Sequence, residues 1–378
     1  MRWLILSPLF FVLFFVSSGP LKALSEIQLS DSASREIQSF LSSGERFTFL
    51  SADGTTQLQG IRFQHPEPKG TIVIVNGSTE SWLKYGELFF DLYHHGYSLV
   101  SYDHRGQGLS PHLVQSNPQI GNIDDFSLYA DDLHALVQHV LLTSNHGKLY
   151  LLAHSMGGAV SLDYLERFQS PFSAVVLSAP LLRINTSPYP EPVVRLLITL
   201  LKTAGMGDHY APGKHDHDPA ESFEKNPITS SRKRWEASEL VWKSHPDAVL
   251  GGPSICWVDQ AMTRTELIRK NLSKIQGRIL ILQAGRDQFV MCADQDSASK
   301  ALPEATLVRF PEAKHEILME SDPIRESAIQ AILTFFNPKF ALATIQSESR
   351  GVKIVRKIEA LQRGDKSASE HRTKVNAK

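Results

Sequence analysis

The stretch that most constrains this chain is Leu149-Tyr150-Leu151-Leu152-Ala153-His154-Ser155-Met156-Gly157-Gly158-Ala159-Val160. An apolar run stops at His154, a serine follows, then two glycines, and a helical pattern begins at Ala159. This is the layout of a strand, a tight turn and a helix. A serine at such a junction sits at the edge of a sheet with its hydroxyl presented outward. Gly157 and Gly158 lack a Cβ, so the helix and the strands can approach closely. The usual pattern is G-x-S-x-G. Ala153 stands at its first position, a departure of one methyl group. A serine in an ordinary glycine-rich loop has the same five letters, so the surroundings must decide between the two.

Those surroundings have an α/β rhythm. Arg46–Ser51 and Gln57–Gln64 alternate apolar and polar residues around Asp53-Gly54, the signal of a hairpin. Thr71–Val75 is a continuous β-branched run, as expected of a strand covered on both faces. Asn76-Gly77-Ser78 ends it. Trp82–His94 reads as a helix, Ser98–Tyr102 as a buried strand, and Phe126–Leu142 as a helix. Ala174–Leu177 is the next strand. From Leu182 to about Trp257 prolines, histidines and charges replace buried strands. Ile279–Ala284 and Ala305–Phe310 restore the strand rhythm, and Ile324–Phe336 closes with a helix. Strands alternating with helices predict a mostly parallel sheet with helices on both faces. The middle segment is then a helical cap inserted over the carboxyl edge of the sheet, where open α/β sheets bind their ligands. The expected divisions are 1–23, a signal peptide or anchor; 24–181, the first part of the core; 182–258, the cap; 259–340, the second part of the core; and 341–378, a basic tail.

A serine hydroxyl is a weak nucleophile near neutral pH. It needs a base, and the base needs a group that fixes its tautomer. In α/β-hydrolases these groups follow along the chain as Ser, then acid, then His. Asp287 lies just after the strand ending at Ala284, and His315 just after the strand ending at Phe310. Both would emerge on the same sheet edge as Ser155. Asp287 could be a plain turn residue, and Asp294 and Asp296 compete with it. His315 is one of 15 histidines. The order and the positions after strands set these three residues apart. A tetrahedral intermediate also needs backbone donors for its oxyanion. Met156, directly after the serine, and Ser78, beside Gly77, are the expected pair.

The chain opens with Arg2 and an apolar run from Trp3 to Val16, followed by Ser17, Ser18 and Gly19. That is the form of a secretory signal, and the run is short of the roughly 20 residues of a spanning helix. Cleavage near Ser18 or Ala23 and an uncleaved anchor are both compatible with it, so an exported, periplasmic or membrane-associated protein is expected. Two cysteines, Cys256 and Cys292, exclude a disulfide-rich scaffold, although one bridge between them stays open. A net charge of −1 gives no argument for a nucleic-acid partner. Residues 350–378 hold nine Lys or Arg against three Asp or Glu. Such a tail reads as solvated chain, or as weak attraction to anionic lipid headgroups.

Several motifs together resemble one family. They are Asn76-Gly77-Ser78-Thr79-Glu80-Ser81, Tyr102 to Gly108 with Asp103-His104-Arg105-Gly106-Gln107, Ala153 to Gly158, Gly251-Gly252-Pro253 with Trp257-Val258, and His315-Glu316-Ile317-Leu318. Over roughly residues 47–337 the chain resembles the bacterial lysophospholipases of the inner-membrane type, close to the monoacylglycerol lipases of the α/β-hydrolase superfamily. The resemblance implies an α/β-hydrolase fold and Ser155, Asp287 and His315 as a triad. It also implies a lysophospholipid or monoacylglycerol substrate. Monoacylglycerol lipases usually have His-Gly where Asn76-Gly77 stands here, which favours the lysophospholipase side.

The apolar segment Val193–Leu201 reads as a cap helix packed on its own domain, or as an acyl-channel wall or bilayer contact. His209, His215, Asp216, His217 and Asp218 look like metal ligands on paper, but their loop-like setting favours surface histidines. Gly106-Gln107-Gly108 lacks the third glycine of a dinucleotide fingerprint. The expected activity is cleavage of the acyl ester of a lysophospholipid through an acyl-enzyme, with no metal or organic cofactor. Monoacylglycerol lipase and general esterase are the nearest alternatives. A serine aminopeptidase would need a carboxylate for the free amine, with Glu191 or Glu221 as candidates. A non-catalytic membrane-associated binding module is the alternative from another class.

Overall fold

The structure is a computed structural model and describes residues 23–29, 31–143 and 146–337. One eight-stranded sheet organises it. The strands are β1 (Glu45–Leu50), β2 (Gln57–Phe63), β3 (Thr71–Val75), β4 (Ser98–Tyr102), β5 (Leu149–His154), β6 (Phe172–Ser178), β7 (Ile279–Ala284) and β8 (Ala305–Phe310). They lie in the order β1-β2-β4-β3-β5-β6-β7-β8. The hairpin β1–β2 and the β2–β4 pair are antiparallel; every other pair is parallel.

The central strands are buried on both sides, which explains their unbroken apolar runs. Alternate side chains supply two separate cores. Val73, Val75, Leu151, Ala153, Ile279 and Ile281 face one way, under helices α3 (Ser127–Leu136), α4 (Met156–Arg167), α7 (Ile255–Asn271) and α8 (Cys292–Ala301). Ile72, Ile74, Leu152, Leu280 and Leu282 face the other way, under α1 (Asp31–Ser43), α2 (Gly86–His94) and α9 (Asp322–Phe336). After β3 the chain crosses to β4 on one side and then returns to β5 on the other. The carboxyl ends of β3 and β5 therefore flank the topological switch point, where the connections diverge and leave a crevice.

The cap carries α5 (Glu191–Thr203) and α6 (Arg232–Ser244), then enters α7. The expected boundary after residue 258 falls inside the first turn of α7. Ser254 caps that helix, its hydroxyl accepting from Trp257 N–H at 2.9 Å, and the helix runs on without a break into the core. The Gly251-Gly252-Pro253 stretch seats the cap on the loop before α3: Gly251 N–H donates to Gln119 O and Gly121 N–H to Gly252 O.

A second correction concerns the start of the fold. Ala23 was expected to lie outside it, but is buried among the apolar residues under α2 and α9. The rest of the apolar leader, residues 1–22, and the basic tail from residue 341 lie outside the described residues. Among the described residues no helix is long and apolar enough to cross a membrane. Cys256 and Cys292 are both free thiols.

One buried side chain fastens cap to core. Arg234 of α6 donates to both Glu87 oxygens at 3.0 to 3.1 Å, to Glu320 O at 2.7 Å, to Leu24 O at 3.0 Å and to Asp322 at 2.9 Å. Removing one partner of a buried ion pair leaves a charge and its acceptors without compensation. Arg234→Met is therefore expected to lower unfolding stability by about 3 kcal/mol, read from the denaturant midpoint at unchanged slope. A shift under about 0.5 kcal/mol, the size of an ordinary surface substitution, would contradict the clamp.

Candidate active site

The site is built at the switch point. β5 delivers Ser155 into a turn with φ 50° and ψ −115°, a left-handed conformation that is costly for a residue with a Cβ. The turn is held by Ser155 N–H donating to Ser178 O at 3.0 Å, and by Ser155 O accepting from Gly158 and Leu181 N–H, each at 2.9 Å. α4 begins at once with Met156. A Cβ on Gly157 would meet Val75 O at 2.3 Å, so only glycine lets α4 approach the end of β3 this closely. Ala153, where glycine is usual, is an interior residue of β5, paired with Val75 and Leu177, and its methyl group is simply part of the core.

Two later strands supply the partners. His315, from the loop after β8, places Nε2 at 2.9 Å from Ser155 Oγ. Its Nδ1 lies 2.6 Å from Asp287 Oδ2, on the loop after β7. The other Asp287 oxygen accepts from Phe289 N–H at 2.8 Å and Val290 N–H at 3.1 Å. The imidazole is packed between Phe289, 5.0 Å away between ring centres, and His154, 4.9 Å away. The Asp287 side chain is fully buried, and Ser155 keeps some exposure. Asp294 turns to Arg183 at 3.1 Å and Arg269 at 3.5 Å, and Asp296 to Gln283 and Arg309. The structure thus brings Ser155, His315 and Asp287 together and leaves the competing aspartates outside.

The loop after β3 faces this group. Gly77 N–H donates to Glu80 Oε2 at 2.6 Å, and Gln107 Nε2 donates to Gly77 O at 2.7 Å and Glu80 O at 3.1 Å. Ser78 follows in the same braced loop, half-buried. Met156 opens α4, where backbone N–H groups have no intrahelical acceptor. Asn76, where the monoacylglycerol lipases have His, donates through Nδ2 to Asp103 at 3.1 Å. Asp103 also accepts from Ser81 Oγ at 2.7 Å and from Trp82 and Leu109 N–H at 2.8 Å. Burial pushes its carboxyl up to about 7 despite these donors. It is an anchor for the loops around β3 and β4.

The sequence pattern singled out Glu80, Ser81 and Glu316 in motifs without a task for them, and nothing marked Lys84. Lys84 and Glu316 bond to each other in the interior. Glu80 stands among the polar residues Ser78, Thr79 and Ser81, and Glu316 follows Lys314 and His315, so no local pattern set this group apart. The donor atoms of Glu80, His154 and Glu316 lie within 4.8 Å of one another, a spacing compatible with a metal ion, but the Lys84 ammonium already bonds both carboxylates. The histidines and acids of 209–218 have other roles. Asp216 accepts from Tyr210 at 2.5 Å and Asn117 at 2.8 Å, and His217 pairs with Glu239 at 3.3 Å, which raises its pKa.

A serine on a strained strand–helix turn, bonded through a histidine to a buried aspartate at the carboxyl edge of such a sheet, defines the α/β-hydrolase class. Residues 66–322 match the family described as serine aminopeptidase, S33, and the chain belongs to that family. It is 33% identical over 267 residues to the probable lysophospholipase L2 of Haemophilus influenzae, covering 70% of this chain and 83% of that one. To lysophospholipase L2 of Escherichia coli it is 32% identical over 285 residues, covering 73% and 83%. A soluble variant of the monoglyceride lipase of Saccharomyces cerevisiae shares the fold, with a TM-score of 0.60 at 20% identity over 78% of this chain and 94% of that one. These relationships place the protein among the carboxylic-ester hydrolases.

Proposed function

We propose that this protein removes the remaining acyl chain of a lysophospholipid through an acyl-enzyme on Ser155. The observation that carries the reading is the continuous hydrogen-bonded path from Ser155 through His315 to Asp287. Ser155 Oγ attacks the ester carbonyl carbon while His315 Nε2 takes its proton. Asp287 fixes the tautomer of His315 and steadies the imidazolium. The N–H groups of Met156 and Ser78 receive the oxyanion. Collapse breaks the bond to the glycerophospho oxygen, which leaves with the proton from His315. Water, deprotonated by His315, then releases the fatty acid and restores Ser155.

The relationship to the two bacterial lysophospholipases L2 supports the lysophospholipid over the monoacylglycerol. The amine-holding carboxylate of an aminopeptidase is not supported: Glu191 is engaged by Arg195 at 2.8 Å, and Glu221 is an exposed cap residue. Contact with a membrane surface belongs to the same reading. Val193, Leu196, Leu197 and Leu200 occupy positions i, i+3, i+4 and i+7 of α5 and are 44 to 61% exposed. The opposite side packs through Ile198 on Ile255 and Met262. A helix apolar on its outer face suits an interfacial lipid substrate. Export to the periplasm or a membrane rests on Arg2, the apolar run Trp3–Val16 and the small residues Ser17, Ser18 and Gly19.

The test compares turnover of lysophosphatidylethanolamine, a monoacylglycerol and an amino-acid amide, with lipid presented in vesicles. The expected order is lysophospholipid first and amide undetectable. The double variant L196D/L200D is expected to lose about tenfold on vesicles, the effect of a free-energy loss near 1.4 kcal/mol, and to keep its rate on a soluble short-chain ester. Faster turnover of the amide would overturn the reading.

A further inference from the structure

Behind Ser155 and His315 lies a group of buried side chains that the hydrolytic scheme leaves unused: Glu80, Lys84, Tyr85, His154 and Glu316. The Lys84 ammonium donates to Glu80 Oε1 at 3.1 Å and to Glu316 Oε1. The second Glu80 oxygen accepts from Gly77 N–H and from the Tyr85 hydroxyl, each at 2.6 Å. Glu316 directly follows His315 in the chain, and its own N–H donates to Ile228 O in the cap. One cation therefore joins the loop that carries Ser78 to the loop that carries His315. Burial opposes charge on Lys84, but Glu316 and Glu80 outweigh it and keep the ammonium protonated. Burial likewise opposes charge on Glu80, yet Lys84 and the neighbouring donors hold its carboxyl down to about 2. Burial pushes Glu316 up, and the nearby Glu80 adds to the rise.

A buried ion pair is weak evidence for stability, because desolvation offsets most of the attraction. Its value here is geometric. The oxyanion donor Ser78 and the general base His315 come from loops more than 200 residues apart in sequence, and Lys84 links the two directly. We propose that Lys84 is a positioning residue, tying the oxyanion loop to the His315 loop through Glu80 and Glu316. The inference rests on the ester-hydrolase reading above.

The test uses the full chain with a soluble ester and separates kcat from KM. Lys84→Met leaves two buried carboxylates facing each other, so K84M/E316Q is prepared beside it as the version that relieves this repulsion. In the folded double variant kcat is expected to fall by roughly 10- to 100-fold, the range of a misplacement near 1 Å, with KM changed less than about threefold. Lys84→Arg, which keeps a cation between the acids, is expected to recover kcat to within about fivefold of the parent, a small part of that loss. A folded K84M/E316Q with kcat within about twofold of the parent, or a loss confined to KM, would overturn the proposal. So would an arginine variant no better than the double variant. Ser155→Ala is run in parallel: if it too turned over the ester at the parent rate, the hydrolase reading itself would fail, independently of Lys84.

Discussion

Ser155→Ala is expected to lower kcat for ester hydrolysis by about 10⁶-fold, the scale seen when a triad serine is removed, while the protein stays folded. Both halves of this result follow from the local geometry. Oγ is the atom within 2.9 Å of His315 Nε2, so its removal deletes the nucleophile and leaves the base nothing to activate. Turnover left over comes from water attack helped by bound oxyanion donors, a residue of roughly 10³- to 10⁴-fold over solution. Stability is a different matter. The Ser155 hydroxyl does not cap α4, and the turn is held by backbone bonds to Ser178, Gly158 and Leu181 that alanine retains. The single hydrogen bond lost is worth about 1 kcal/mol. kcat per mole of folded protein, set beside a thermal melt, checks the pair of expectations. A folded alanine variant with more than about a hundredth of the parent rate would remove Ser155 from the chemistry, since a nucleophile accounts for far more than that.

What could be read from the sequence was what is local. β3, β5 and β7 announce themselves because a strand covered on both faces is buried at every position and so is apolar along nearly all its length. The turn at Ser155 is legible because His154 and Ser155, and after Met156 the pair Gly157-Gly158, interrupt such a run. Asp287 and His315 could be placed because each stands a few residues beyond a strand, and parallel strands deliver their carboxyl ends to one edge. Contacts made across the fold were not legible. Lys84 lies in a segment with helical spacing, where a lysine ordinarily faces solvent, and its partner Glu316 is 232 residues away. Nothing in either neighbourhood specifies the other. The same holds for Arg234, whose acceptors come from α2, α9 and the residues just after Ala23. The cap boundary was misplaced because α7 belongs to both cap and core, and helical periodicity carries no mark where one becomes the other. Ala23 was assigned to the leader by its small size, a property that suits a cleavage site and a tight core position equally.

Asp287→Asn is expected to lower kcat by about 10⁴-fold with little change in the melting temperature. The reason lies in the two backbone donors on the acid. Phe289 and Val290 N–H both point at Oδ1, so an asparagine here must turn its carbonyl oxygen to them. Its amide nitrogen then faces His315 Nδ1, where Asp287 Oδ2 now lies at 2.6 Å. A donor at that place requires His315 Nδ1 to accept, which puts the ring proton on Nε2. Nε2 is the atom that must receive the proton of Ser155, and in this tautomer it is already occupied. The variant keeps size, burial and both backbone bonds, so the loss falls on the base and not on the fold. Imidazole ¹⁵N chemical shifts supply the direct check: the parent should carry its proton on Nδ1 and the variant on Nε2. Asp296→Asn, on a side chain already held by Gln283 and Arg309, should leave kcat near the parent value. If Asp287→Asn cost less than about tenfold in kcat, far short of the loss a tautomer change produces, the aspartate would not be orienting the base, and Ser155 would have to be activated by His315 alone.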